Sequence, residues 1–140
     1  MNYNDRLPVD FIKNNLLLFA VAVASGAMLL WPLLRRSTGG PSVSTAQATQ
    51  LINRDDALIV DVREPAEYQA GHILGAKNTP LERLGETELK RKDKPVIVYC
   101  ESGERAPKAA AILRKRGYDR VLSLQGGLGA WKQAGLPVEK

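Results

Sequence analysis

The chain has one cysteine and one histidine in 140 residues. No internal disulfide can form, and no cluster of His, Cys and carboxylates has metal-ligand spacing, so neither a disulfide framework nor a metal centre is expected. Phe, Trp and Tyr make up only 6% of the residues, and no basic stripe alternates with them, which leaves nucleic-acid binding without its usual footprint. Internal repeats and low-complexity tracts are absent. A lone thiol without a disulfide partner fits a reducing compartment.

Charge is missing from one long stretch. Asn14 to Leu34 contains no charged residue and is dominated by Leu, Val, Ala and Phe. At about 1.5 Å per residue the run would extend roughly 31 Å, close to a bilayer core of about 30 Å. This predicts a flank over 1–13, one transmembrane helix with its basic stop over 14–36, a small-residue linker over 37–43 and a domain over 44–140. Ala22-Val23-Ala24 offers the small residues of a leader cleavage site, but the apolar run continues to Leu34, further than a cleaved leader needs. The Arg35-Arg36 pair and the reduced thiol favour a single-pass protein with a cytoplasmic domain. The lipid bilayer would then be a partner through residues 14–34. The Ala22-x-x-x-Gly26 spacing, at which membrane helices approach closely, leaves a membrane-protein partner open.

Residues 44–140 hold 16 Lys and Arg against 13 Asp and Glu, a modest net charge of +3. Their apolar pattern alternates between two periods. Helices are predicted from Ser44 or Thr45 to about Asn53, over Pro65 to Gln69, and over Ala106 to Tyr118. Strands are predicted over Ala57 to Asp61, Gly75 to Thr79, Pro95 to Tyr99 and Val121 to Leu124. Strands alternating with helices predict an α/β fold with a parallel sheet covered on both faces.

Cys100 follows the strand Pro95 to Tyr99 and opens the loop Cys100-Glu101-Ser102-Gly103-Glu104-Arg105 before a helix. Ligands of open α/β sheets bind at that edge, and a helix N-terminus stabilises negative charge. Gly103 permits the turn that points successive N–H groups at one anion. That anion would be the cysteine sulfur or a group attached to it. Arg105 closes the loop with a guanidinium fork that can brace carbonyls or meet an anionic substrate. With no second cysteine, whatever Cys100 carries must leave to an outside acceptor. Asp61 and Arg63 lie at the same sheet edge and are expected to brace the loop as an ion pair, with Glu67 as a further partner. His72 reads as a turn residue with a satisfied imidazole. Gly126-Gly127-Leu128-Gly129 lacks dinucleotide-binding spacing and reads as a turn and helix start. Trp131 reads as core.

Four motifs, in order, resemble the rhodanese sulfurtransferases: Asp61 to Tyr68, Gly71 to Ala76, Cys100 to Arg105, and Gly126 to Trp131, with Gly135-Leu136-Pro137-Val138 closing the domain. The resemblance covers residues 44 to 140. It implies a small five-stranded parallel sheet with helices on both faces, here preceded by the transmembrane helix. It also implies that Cys100 takes a sulfane sulfur from a donor, becomes a persulfide, and passes the sulfur to a nucleophile. The persulfide would sit in the loop Glu101, Ser102, Gly103, Glu104 and Arg105, supported by Asp61, Arg63 and Glu67. Partners would be a small sulfur-containing substrate or a persulfide-carrying protein, with no cofactor. Related phosphatases carry five residues between cysteine and arginine, and this loop has four. The alternative from another class is a membrane-tethered docking module without significant catalysis. Glu101 and Glu104 add negative potential at the mouth, so thiosulfate is expected to be a poorer donor than the persulfide of a protein or of a small thiol.

Overall fold

The computed structural model describes residues 7–36 and 40–140. The start of the expected flank and residues 37–39 of the expected linker lie outside them, as do the side chains of the Arg35-Arg36 stop. The chain divides into two units, Met1–Thr38 and Gly39–Lys140.

In the first unit, helix α1 (Leu7–Asn14) meets helix α2 (Leu16–Arg36) at Asn15. The Asn15 amide and side chain both donate to the Phe11 carbonyl, at 3.1 and 2.9 Å. Phe11 and Phe19 pack edge to face across this joint, 6.2 Å apart. The apolar side chains of α2 are open to solvent, Leu17 by 78% and Met28 by 81%. Among the described residues no helix is long and apolar enough to cross a membrane, so the span expected over 14–34 is not borne out. Asn14 ends α1 and Asn15 turns, so the apolar helix starts only at Leu16. Pro32 also removes an amide from within the helix.

The second unit is the predicted α/β fold. Its elements are β1 (Ser42–Val43), α3 (Thr45–Asp55), β2 (Leu58–Asp61), α4 (Pro65–Ala70), β3 (His72–Ile73), β4 (Lys77–Asn78), β5 (Val96–Tyr99), α5 (Ala106–Lys115), β6 (Val121–Leu124), α6 (Gly127–Gln133) and β7 (Val138–Glu139). Five strands form one parallel sheet in the order β1-β6-β5-β2-β4. Alternation along the strands sorts their side chains onto two faces. Val60, Val96, Val98 and Val121 pack beneath Ala106, Ala109, Ala110 and Leu113 of α5. Ile59, Ile97, Tyr99 and Leu124 face Ala48 of α3 and Leu128 and Trp131 of α6. Helices therefore cover both faces, and the carboxyl ends of β2, β5 and β6 meet at one edge.

Local chemistry sets the helix limits. Ser44 Oγ accepts from the Gln47 amide at 3.2 Å while Gln47 Oε1 accepts from the Ser44 amide at 3.0 Å, a reciprocal cap that starts α3. Helix α5 stops at Lys115, three residues before the predicted end. Gly117 takes the left-handed conformation there, and the amides of Gly117 and Tyr118 fold back onto the carbonyls of Arg114 and Leu113. Two features differ from expectation. Ser42–Val43, expected as linker, pairs with β6 as an edge strand. The closing segment returns as β7 to pair antiparallel with β3, Ile73 opposite Val138.

Candidate active site

The loop from Cys100 to Arg105 leaves the carboxyl end of β5 and enters α5 at Ala106, with Pro107 in the first turn. Cys100 is 1% exposed and belongs to the core cluster under α5. Its Sγ accepts from the amides of Gly103 and Arg105, at 3.1 and 3.3 Å. Gly103 holds φ at +91°, and a Cβ there would lie 3.2 Å from the Gly126 nitrogen, so both turn and packing require glycine. The loop thus aims two N–H groups at the sulfur, the arrangement that stabilises negative charge there. The cysteine lies deeper than its position in a loop suggests, because the loop folds over it.

Asp61 and Arg63 form the expected pair, and both are buried. Arg63 Nε and Nη2 donate to the two carboxylate oxygens of Asp61, at 3.0 and 2.7 Å. Nη2 also donates to the Gly71 carbonyl at 2.7 Å, and Nη1 to Glu101 Oε2 at 2.8 Å. Tyr99 hydroxyl donates to Asp61 Oδ2 at 2.7 Å and accepts from the Ile73 amide at 3.1 Å. Burial alone would weaken the Arg63 charge, but bonding to Asp61 and the field of Asp61 outweigh it and hold the guanidinium more firmly protonated. Burial pushes the Tyr99 phenol well up, and its bond to Asp61 adds to this.

Glu67 reaches the loop from α4 and takes Arg105 with both oxygens, Nη1 to Oε1 at 3.3 Å and Nη2 to Oε2 at 3.2 Å. That bond raises Arg105 above its ordinary value and lowers Glu67 below it. Arg105 therefore braces α4 and offers its backbone amide to the sulfur. Glu101, expected to add negative potential at the mouth, is the outer partner of Arg63, with its side chain 53% exposed. Ser102 and Glu104 are exposed at the loop's crest. Beside the loop lies a cleft of about 220 Å³ lined by Arg63, Glu67, Ala70, Gly71, Glu101 and Lys132.

The glycines before α6 do more than turn. The amides of Leu128 and Gly129 donate to the carbonyls of Cys100 and Glu101, at 2.9 and 3.2 Å. With these carbonyls held from behind, the loop's N–H groups face the sulfur. Gly127 sits at φ +58°, and a Cβ there would fall 2.3 Å from the Cys100 oxygen and 2.8 Å from the Glu101 oxygen. The adjacent glycines at 126 and 127 were the sequence signal for this contact, but the carbonyls they approach lie 25 residues or more away in the chain.

His72 lies in β3 with both ring nitrogens engaged, Nδ1 with the Tyr68 carbonyl at 2.8 Å and Nε2 with Glu139 at 3.2 Å. Its ring stacks on Tyr68 at 3.7 Å. Trp131 is buried, and its indole N–H donates to the Pro137 carbonyl. Among the described residues, no group of three or more His, Cys, Asp or Glu is arranged to hold a metal ion.

Residues 44–134 match the Rhodanese-like domain family. An uncharacterized protein of Synechocystis sp. is 44% identical over 92 residues, 65% of this chain and 51% of that one. A sulfurtransferase of Allochromatium vinosum is 40% identical over 99 residues, 68% of this chain and 90% of that one. The crystal structure of a rhodanese-related protein from Thermoplasma volcanium superposes with a TM-score of 0.64 at 30% identity, covering 71% of this chain and 97% of that one. The chain spans about half the length of the Synechocystis relative.

Two measurements check this geometry. Gly127→Ala should destabilise the domain by about 2 kcal/mol or more, since it adds left-handed strain and a clash with backbone. It should also speed alkylation of Cys100 by iodoacetamide as the loop lifts. Equal melting and equal labelling would show that α6 does not hold the loop. For Glu67, the folded value is depressed, so its pairing contributes stability above the unfolded value of about 4.5 and loses it as pH falls through the folded value. The melting-temperature gap between the wild type and Glu67→Gln should thus be full near neutrality and shrink below about pH 4.5. A gap independent of pH would show that the loss is not electrostatic.

Proposed function

The chain belongs to the rhodanese-like family, and from that premise we propose that it is a sulfurtransferase whose carrier is a persulfide on Cys100. The observation that carries this reading is the pair of loop amides, from Gly103 and Arg105, directed at the cysteine sulfur. In the loading step the Cys100 thiolate attacks the sulfane sulfur of the donor. A new S–S bond forms, the donor's own bond to that sulfur breaks, and the electron pair leaves with the donor as sulfite or thiolate. In the unloading step a nucleophile attacks the outer sulfur, and the electron pair returns to Cys100. No net oxidant or reductant is needed, which suits a chain with a single cysteine.

The loop's own groups have distinct parts. Gly103 and Arg105 stabilise the anionic sulfur through their amides. Arg63 and Arg105 are held by Asp61, Glu101 and Glu67, so their charges serve first to fix the loop. Ser102 and Glu104 form the crest past which donor and acceptor approach. Because the cations are matched by carboxylates, a dianion such as thiosulfate gains little from the mouth, and the persulfide of a protein or of a small thiol is the favoured donor.

We further propose that residues 14–34 hold the protein at a lipid bilayer, with the domain on the cytoplasmic side. What supports this is the uncharged run of Leu, Val, Ala and Phe and the exposure of large apolar side chains along α2. An uncovered apolar face of that extent favours lipid over water.

Intact mass after exposure to a persulfide donor should show the wild type gaining one sulfur atom and Cys100→Ser gaining none. Transfer should vanish with the substitution, while the melting temperature falls only slightly, because the smaller hydroxyl still accepts from the loop amides. Transfer by the serine variant would end the covalent reading. The anchor is checked by fractionation. The full chain should stay with membranes through an alkaline wash, the chain from residue 40 should remain in the supernatant, and protease added to spheroplasts should spare the domain. A full chain that washes off, or a domain that is digested, would contradict anchoring or orientation respectively.

A further inference from the structure

The cleft beside the loop has two polar groups left over. Of its four charged lining residues, each nitrogen of Arg63 has a partner in Asp61, Gly71 or Glu101, and Glu67 gives both oxygens to Arg105. Glu101 has only Oε2 bonded, leaving Oε1 without a partner among the described residues. Lys132 is exposed on the last turn of α6, and among the described residues its ammonium has no hydrogen-bond or ion-pair partner. The lining thus includes a cation without a partner and a carboxylate with one oxygen unbonded, on the residue that follows Cys100.

Resting on the sulfurtransferase reading, we propose that this cleft binds a small α-amino-acid thiol as sulfur acceptor, its carboxylate on Lys132 and its ammonium on Glu101. Size and charge both favour such a ligand. About 220 Å³ lies below the roughly 300 Å³ at which pockets for drug-sized ligands begin, so the cleft suits a molecule of amino-acid dimensions. Two cations and two carboxylates make the lining neutral overall, which gives a dianion no net attraction. A zwitterion meets a partner for each end. Glu101 follows Cys100 in the loop, so an amino acid anchored on it brings its thiol to the loop that carries the sulfur. Its thiolate, having lost a proton to solvent, attacks the outer sulfur of the Cys100 persulfide. The new S–S bond forms on the amino acid, the old one breaks, and its electron pair remains on Cys100.

The test compares acceptors that carry one end, the other, or both: 3-mercaptopropionate, cysteamine and L-cysteine, each with the persulfide-loaded full chain. Lys132→Gln should raise the KM for L-cysteine and 3-mercaptopropionate about five- to tenfold relative to that for cysteamine, as expected for loss of one charge-assisted contact, and Lys132→Arg should largely restore it. Equal changes for all three acceptors, or none, would overturn the proposal. Equilibrium titration with S-methyl-L-cysteine, which cannot take up sulfur, reads the site without turnover and should weaken by the same factor in Lys132→Gln. If Cys100 never loads yet this binding depends on Lys132, the sulfurtransferase reading falls and the amino-acid site stands. If loading proceeds and binding ignores Lys132, the site falls alone.

Discussion

A buried charge pair, Asp61 with Arg63, is the constraint on which the sheet edge is arranged. Both side chains are almost wholly removed from water. Such a pair adds little net stability over apolar packing, but leaving either partner alone costs about 3–5 kcal/mol. The surroundings must therefore satisfy every remaining polar atom, and they do so from distant parts of the chain. Tyr99 comes from β5, the Gly71 carbonyl from the end of α4, and Glu101 from the active loop. The pair ties the end of α4 and the active loop to the sheet edge, where β2 already lies against β5. The role is geometric more than energetic.

The sulfur's environment follows from that scaffold and from a second, independent clamp. On one side Glu67 holds Arg105 from α4; on the other, the amides at the start of α6 hold the carbonyls of Cys100 and Glu101. Pinned at both ends and from behind, the loop keeps its N–H groups on the inside. Gly103 and Gly127 are the two places where backbone comes too near to backbone for a side chain. The two amides are then in place at the sulfur before any ligand binds, which is what the proposed persulfide chemistry needs.

Much of this was legible in the sequence, for reasons that differ by element. Strands β2, β5 and β6 were found because short β-branched runs bounded by turn residues have few other solutions. The loop stood out because a cysteine, a glycine and an arginine at that spacing after a strand answer one chemical need. The Asp61-Arg63 pair was visible because its members are two residues apart at a strand end. Contacts made across the chain were not visible. Nothing local in Ser42–Val43 marks a strand; its partner is β6, some 80 residues on. Glu101 pairs with Arg63, 38 residues away, and Gly127 approaches carbonyls more than 25 residues away, so neither contact has a local signature. The apolar N-terminal run predicts one helix from Asn14, whereas Asn14 ends α1 and α2 starts at Leu16, because two uncharged asparagines at the edge of the run leave composition almost unchanged.

The most direct measurement is the amide NMR spectrum of the full chain before and after treatment with a persulfide donor. If Cys100 holds the transferred sulfur inside the loop, the Gly103 and Arg105 amides should shift together, in step with the gain of one sulfur atom, while amides at the opposite end of the sheet, such as Leu58 and Val96, stay in place. A chain that gains the sulfur without moving those two resonances, or moves them without gaining it, would contradict the claim that these amides hold the carrier.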